Sequence, residues 1–128
     1  MEPDKNTKKG KKGFERVVAA FFYSKDGLSA AWREEAAFRQ VLILAILCGI
    51  AAIFVGRSWV EWVLLVLPCV LSVLVELINS AIENAIDFTS TNLHPLAKKA
   101  KDMGSAAQLV ALVFWVGVWI GFLWWRYV

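Results

Sequence analysis

The chain has 128 residues, of which 59% are hydrophobic and 20% charged, with a net charge of +3 and a mean hydropathy of +0.56. A soluble domain carries roughly 45–50% apolar and about 25% charged residues. The excess, with seven Trp and eight Phe, excludes a disordered chain, a secreted disulfide scaffold and an ordinary soluble domain, and leaves a small integral membrane protein of one domain.

Residues 1–13 (MEPDKNTKKGKKG) are rich in Lys and Gly without apolar periodicity and read as a disordered basic tail. No secretory signal is expected, because the first long apolar run begins near Val41. From Phe14 the apolar residues Phe14, Val17, Val18, Phe21 and Phe22 follow i, i+3, i+4, i+7, i+8, one face of a helix. Ser24-Lys25-Asp26-Gly27 reads as a turn or helix break. Residues 14–33 are therefore expected to form an amphipathic helix, or two short ones, in the membrane interface. The competing assignment, a helix packed on a soluble core, has little other soluble mass to supply that core.

Three apolar spans follow, at about 36–55, 60–87 and 103–126; the first and third meet directly the ~20 apolar residues that cross a bilayer, and the second does so only with Glu76, and Glu83 with it, within or at the edge of the membrane. The first and third are free of charge over Val41–Val55 and Met103–Trp125, whereas the second ends among acids. Pro68 is expected to kink it. Cys48 and Cys69 lie in apolar runs and read as small buried hydrophobes. Trp59, Trp62, Trp124, Trp125 and Tyr127 read as interfacial anchors. Twelve Lys and Arg residues fall in the tail, the surface helix, the start of the first span and a polar linker at Phe88–Asp102, against Arg57 and Arg126 elsewhere. The positive-inside rule then puts the N-terminus and that linker in the cytoplasm.

The second span closes on VELINSAIENAID, residues 75–87. With Glu76 at zero and about 100° per residue, Asn79 falls at about 300°, Ser80 at about 40°, Glu83 at about 340° and Asp87 at about 20°. Three carboxylates, an amide and a hydroxyl thus share one face. An acid at the centre of a membrane helix costs roughly 2.5–3.5 kcal/mol on insertion scales. Polar glue between helices would explain Asn79, but three like charges call for partners or a cation. Paired carboxylates near a surface, with few other ligands, suit Mg²⁺, which keeps waters and substrate phosphates in its shell. Glu34 and Glu35 lie at a similar depth, and Lys98-Lys99-Ala100-Lys101-Asp102 could meet phosphate oxygens or, alternatively, anionic lipid. Phosphoryl transfer to a lipid fits this convergence. No P-loop or GxGxxG motif is present, and the lone His94 reads as a surface residue.

The segments GLSAAWREEAAFRQ (27–40), VELINSAIENAID (75–87) and AKKAKDMGSAA (97–107) resemble the bacterial integral-membrane diacylglycerol kinase family, and the resemblance runs from Phe14 to the C-terminus. It implies an all-α membrane protein, with an N-terminal amphipathic surface helix and three transmembrane helices per subunit, assembled as a homotrimer. It implies one kinase domain over 14–128 in the bacterial inner membrane. The activity implied is transfer of phosphate from ATP, with Mg²⁺, to diacylglycerol, without a P-loop and without nucleic-acid partners. By position, Glu76 would be the catalytic base, and Glu35 and Glu83 the metal ligands, supported by Asn79 and Asp87. Lys101 and Asp102 would contact the nucleotide, with Arg16, Tyr23 and His94 near it. Arg16, Ser105 and Trp119 would meet the lipid. Val41 and Pro95 stand where members of the family often carry an acid. Undecaprenol is the alternative lipid. From other classes, a small oligomeric proton-coupled transporter would place a Glu in a span without the accompanying acids and the AKD segment, and a structural lipid-binding protein would leave the acidic column without a purpose.

Overall fold

A computed structural model describes residues 12–89, 92 and 94–128; residues 1–11, most of the expected basic tail, lie outside it. The described chain is all-α, with helices α1 (Gly13–Glu34), α2 (Ala36–Val55), α3 (Trp59–Thr89) and α4 (Pro95–Tyr127) in order.

α1 is one continuous helix of 22 residues, so the break expected at Ser24–Gly27 does not occur. A glycine inside a helix costs only about 1 kcal/mol relative to alanine, and Ala30, Ala31 and the surrounding helix formers outweigh it. Ser24 turns its hydroxyl inward to donate to the Ala20 carbonyl at 2.8 Å. The apolar stripe of α1 is not covered by the rest of the chain: Phe14 is 82% and Phe21 70% exposed. Its apolar stripe is thus not packed on a soluble core.

Glu35 alone separates α1 from α2, with an extended backbone of φ −109° and ψ 103°. Arg39 fastens this joint, its Nη1 donating to the carbonyls of Trp32 at 2.8 Å and Arg33 at 3.1 Å. Those carbonyls belong to the last turn of α1, where the helix has no N–H donors of its own left to satisfy them.

α2, α3 and α4 are each long and apolar enough to cross a bilayer. α3 has 31 residues and α4 has 33, or roughly 45–50 Å at about 1.5 Å per residue. Both exceed the ~30 Å hydrocarbon layer, so both extend into the headgroup region. The linker expected at Phe88–Asp102 is correspondingly shorter: α3 continues to Thr89 and α4 begins at Pro95, which makes Lys98–Asp102 helical. The start is set locally. His94 is the N-cap and its ring Nδ1 accepts from the Leu96 amide at 3.1 Å, while Pro95 occupies the first turn, where its missing N–H costs nothing.

α3 lies between α2 and α4 and supplies the core. Val41, Cys69 and Trp115 form one buried cluster; Ala52, Leu65 and Phe122 form another. Beside Pro68, which α3 accommodates without ending, the Leu65 carbonyl receives the Trp119 indole N–H at 3.1 Å and the Cys69 thiol. Both cysteines are free, and Cys69 is buried. At the end of the bundle away from α1, Glu61 pairs with Arg126 and also accepts from the Arg57 amide at 2.7 Å. The Arg126 guanidinium lies 5.3 Å from the ring centroids of both Phe122 and Trp125. Nearby, the Trp62 indole donates to the Gly56 carbonyl at 3.0 Å.

Candidate active site

The polar face of α3 runs from the core outward. Glu76 is only 6% exposed, with Asn79 and Ser80 also buried; Glu83, two turns on, is half-buried and Asp87 is exposed. A buried carboxylate thus connects to the surface through a graded column of polar groups. The column holds its position because α3 presents its opposite faces to α2 and α4, and α4 comes unusually close at one point. A Cβ at Gly104 would overlap the Asn79 side-chain oxygen, so glycine at 104 lets the two helices meet beside the acids. Asn79 Oδ1 is buried without a protein partner. An acceptor left open in such a place is a costly feature for a protein to keep.

Glu35 enters from the α1–α2 joint. Its contact with Asn84 sets it beside the turn of α3 that carries Glu83, so acids from two parts of the chain share this end of the bundle. Asn84, which the column arithmetic leaves off the acidic face, makes the bridge: its Nδ2 donates to Glu35 Oε1 at 2.8 Å and to the Ser80 carbonyl at 2.9 Å. Beside this bridge a cleft of about 430 Å³ opens between α1 and α3, lined by Ala31, Glu35, Leu77, Ser80, Ala81 and Asn84 among others.

Lys101 is brought to the mouth of the column, where its Nζ pairs with Asp87 Oδ1 at 2.9 Å. Asp102 faces its own helix, paired with Lys98 one turn back. His94 is engaged as the α4 cap. Arg16 and Ser105 are exposed, Tyr23 is half-buried on α1, and Trp119 is half-buried between α3 and α4 with its N–H committed to Leu65. The geometry thus gathers Glu35, Glu76, Asn79, Glu83, Asp87 and Lys101, whereas no contact links Trp119 to that group.

Among the described residues no three His, Cys, Asp or Glu side chains form a ready cage for a metal. Mg²⁺ does not require one: it commonly takes one or two carboxylates and completes its shell with water and phosphate oxygens. Glu35, Glu83 and the open oxygen of Asn79 are oxygen donors of the type that could enter such a shell. The sequence missed Asn84 and Arg39, which act across a joint whose angle periodicity does not reveal. It also missed Gly104, because Gly117 and Gly121 of the same helix face open space and a glycine in α4 is by itself no signal of close approach.

Residues 22–123 match the family model for prokaryotic diacylglycerol kinase. A diacylglycerol kinase from Helicobacter pylori is 62% identical over 108 residues, 84% of each chain. One from Pseudomonas aeruginosa is 45% identical over 117 residues, covering 88% of this chain and 95% of that protein. The diacylglycerol kinase of Escherichia coli K12 is 42% identical over 112 residues, 88% and 92% of the two chains. A match of this extent, on a chain with three helices long and apolar enough to span a membrane and a column of acids on α3, places it in the prokaryotic diacylglycerol kinase family of membrane lipid kinases.

Proposed function

We propose that this chain transfers the γ-phosphoryl group of ATP to the free hydroxyl of diacylglycerol, giving phosphatidic acid, at the cytoplasmic face of the bacterial inner membrane. The observation that carries the reading is the buried Glu76 at the inner end of a polar column that opens beside Lys101. Lipid approaches from the bilayer and nucleotide from the water, and a carboxylate at membrane depth is where a lipid hydroxyl can be met. Glu76 accepts the hydroxyl proton as the lipid oxygen forms its bond to the γ-phosphorus. The bond from that phosphorus to the β–γ bridging oxygen breaks, and ADP leaves with the electron pair. Positioning and charge neutralisation dominate such a transfer, and a general base adds to them.

Mg²⁺ bound with the nucleotide would neutralise the phosphate oxygens, held by Glu35 and Glu83 with Asn79 and Asp87 in support. Lys101 would release Asp87 to meet a phosphate, with Asp102, Arg16, Tyr23 and His94 around the nucleotide. Arg16, Ser105 and Trp119 would flank the lipid. The twelve basic residues on one side support an N-terminus in the cytoplasm. The exposed apolar faces of α2 and α4 leave room for neighbouring subunits as well as lipid, and family membership supports the homotrimer.

The test uses the full chain in mixed micelles with labelled MgATP and either diacylglycerol or undecaprenol. We expect label in phosphatidic acid, and a fall of about 10²–10⁴-fold in kcat for Glu76→Gln, the range that a positioned base contributes. Full activity in Glu76→Gln refutes the base; label in undecaprenyl phosphate alone reassigns the lipid.

A further inference from the structure

The Asn84–Glu35 bridge has a purpose that the column does not explain. Asn84 sits at about 80° from Glu76 around α3, beside the acids instead of among them. Its amide is fixed twice. One bond goes to Ser80 O, the carbonyl one turn back on its own helix, and the other crosses to Glu35 Oε1 from a position 49 residues away in the chain. Glu35 has no helix of its own to define where its carboxylate goes, because it is the single extended residue of the joint. Arg39 secures the backbone of that joint by holding the α1 carbonyls, but a secured backbone still leaves three side-chain torsions free. The described hydrogen bond to the Glu35 carboxylate itself comes from Asn84.

The geometry points to Asn84 as the positioning residue of Glu35: its amide orients the carboxylate toward Glu83 and so pre-forms the pair of oxygen ligands for the divalent cation. This rests on the reading above that Glu35 carries the metal. A neutral donor suits the task. It takes up one oxygen of the carboxylate and leaves charge and lone pairs for the cation, whereas an acid at 84 would repel Glu35 and a lysine would neutralise it. Groups that orient a metal ligand from behind typically contribute 10–100-fold in metal affinity.

The test is a titration of Mn²⁺ by electron paramagnetic resonance, using the full chain in micelles with a non-hydrolysable ATP analogue. It is run on wild type, Asn84→Ala, Glu35→Gln and the double variant. Position 84 is exposed on a helix, where alanine favours the fold, and an unchanged melting temperature checks this. We expect Asn84→Ala to weaken Mn²⁺ binding about 10–100-fold, and to add nothing in the Glu35→Gln background. Asn84→Asp, which sets two acids face to face, is expected to shift the metal titration without restoring wild-type binding. Unchanged Mn²⁺ affinity in Asn84→Ala, while Glu35→Gln weakens it, overturns the positioning role alone. An additive effect in the double variant overturns it too, since Asn84 would then act elsewhere. Unchanged affinity in Glu35→Gln removes the metal reading, and this inference with it.

Discussion

Replacing Gly104 with alanine perturbs the column through one atom. The added Cβ would overlap Asn79 Oδ1 and lie 3.2 Å from its Cγ. Turning the amide over does not help, because its nitrogen is as large as its oxygen. Either Asn79 leaves its rotamer or α3 and α4 separate by several tenths of an ångström. Overpacking of this kind typically costs about 1–3 kcal/mol, which is about fivefold to a little over a hundredfold in an equilibrium constant. Both routes move a group that stands one turn from Glu76, so kcat is expected to fall together with stability. The assay is a double-mutant cycle of Gly104→Ala and Asn79→Ala, followed by unfolding in denaturing detergent and by kinase turnover. Truncating Asn79 removes the atom that the new methyl strikes. The double variant should therefore be more stable than the sum of the singles predicts, by at least about 1 kcal/mol, a coupling usual for residues in contact. Its turnover should remain low, because Asn79 is gone. Additive stabilities would refute the close approach of α4 at Gly104.

Four other outcomes follow from the same geometry. Gly56→Ala would overlap the Trp62 ring and should cost about 1–3 kcal/mol of stability, read by detergent unfolding, with turnover at saturating substrates unaffected because the site lies at the other end of α3. Arg126→Met should destabilise the chain more than Arg126→Met with Glu61→Gln, since the single variant leaves the partly buried Glu61 carboxylate without its cation; a double variant as unstable as the single would refute this. Lys101→Met should raise the KM for ATP by at least about tenfold, the scale of a hydrogen bond to a charged group, while leaving the KM for lipid alone. Chelation of divalent cations should abolish transfer, and Glu83→Gln should need more Mg²⁺ to restore it; equal metal requirement in that variant and wild type would exclude Glu83 as a ligand.

How far the sequence anticipates this structure depends on the range of the interaction concerned. The spans and the acidic column are legible because each depends on one helix: a charge-free run reports lipid, and a rotation of about 100° per residue places Glu76, Asn79 and Glu83 together. Ser24–Gly27 misled because turn-forming residues express their preference only where the neighbouring residues do not favour helix, and Ala30 and Ala31 do. The same reasoning shortened the linker, since Lys98–Asp102 is polar yet entirely compatible with helix once His94 and Pro95 start one. Asn84 and Gly104 were illegible for a different reason. Each matters only through a residue outside its own helix, Glu35 of the joint for Asn84 and Asn79 of α3 for Gly104, and how closely these parts approach is settled by packing that one chain of letters does not display.

The two ends of α3 are built differently, and that difference decides how variants should be interpreted. At the far end, contacts are partly buried and mutually reinforcing: Glu61 serves Arg57 and Arg126 at once, two aromatic rings flank the guanidinium, and Trp62 closes on Gly56. At the near end, the contacts of Lys101 with Asp87, Lys98 with Asp102 and Asn84 with Glu35 are exposed pairs, individually weak and open to exchange with solvent. Such pairs hold a site in shape and still yield to a phosphate or a metal ion, as elements with low local stability must do where ligands come and go. A substitution at Arg126 or Gly56 should therefore change how readily the bundle unfolds without changing what it binds. One at Lys101 or Asn84 should change binding in a bundle that unfolds as before. Gly104 is the place where both effects meet, because there the packing of α3 on α4 and the position of the reactive column depend on the same few atoms.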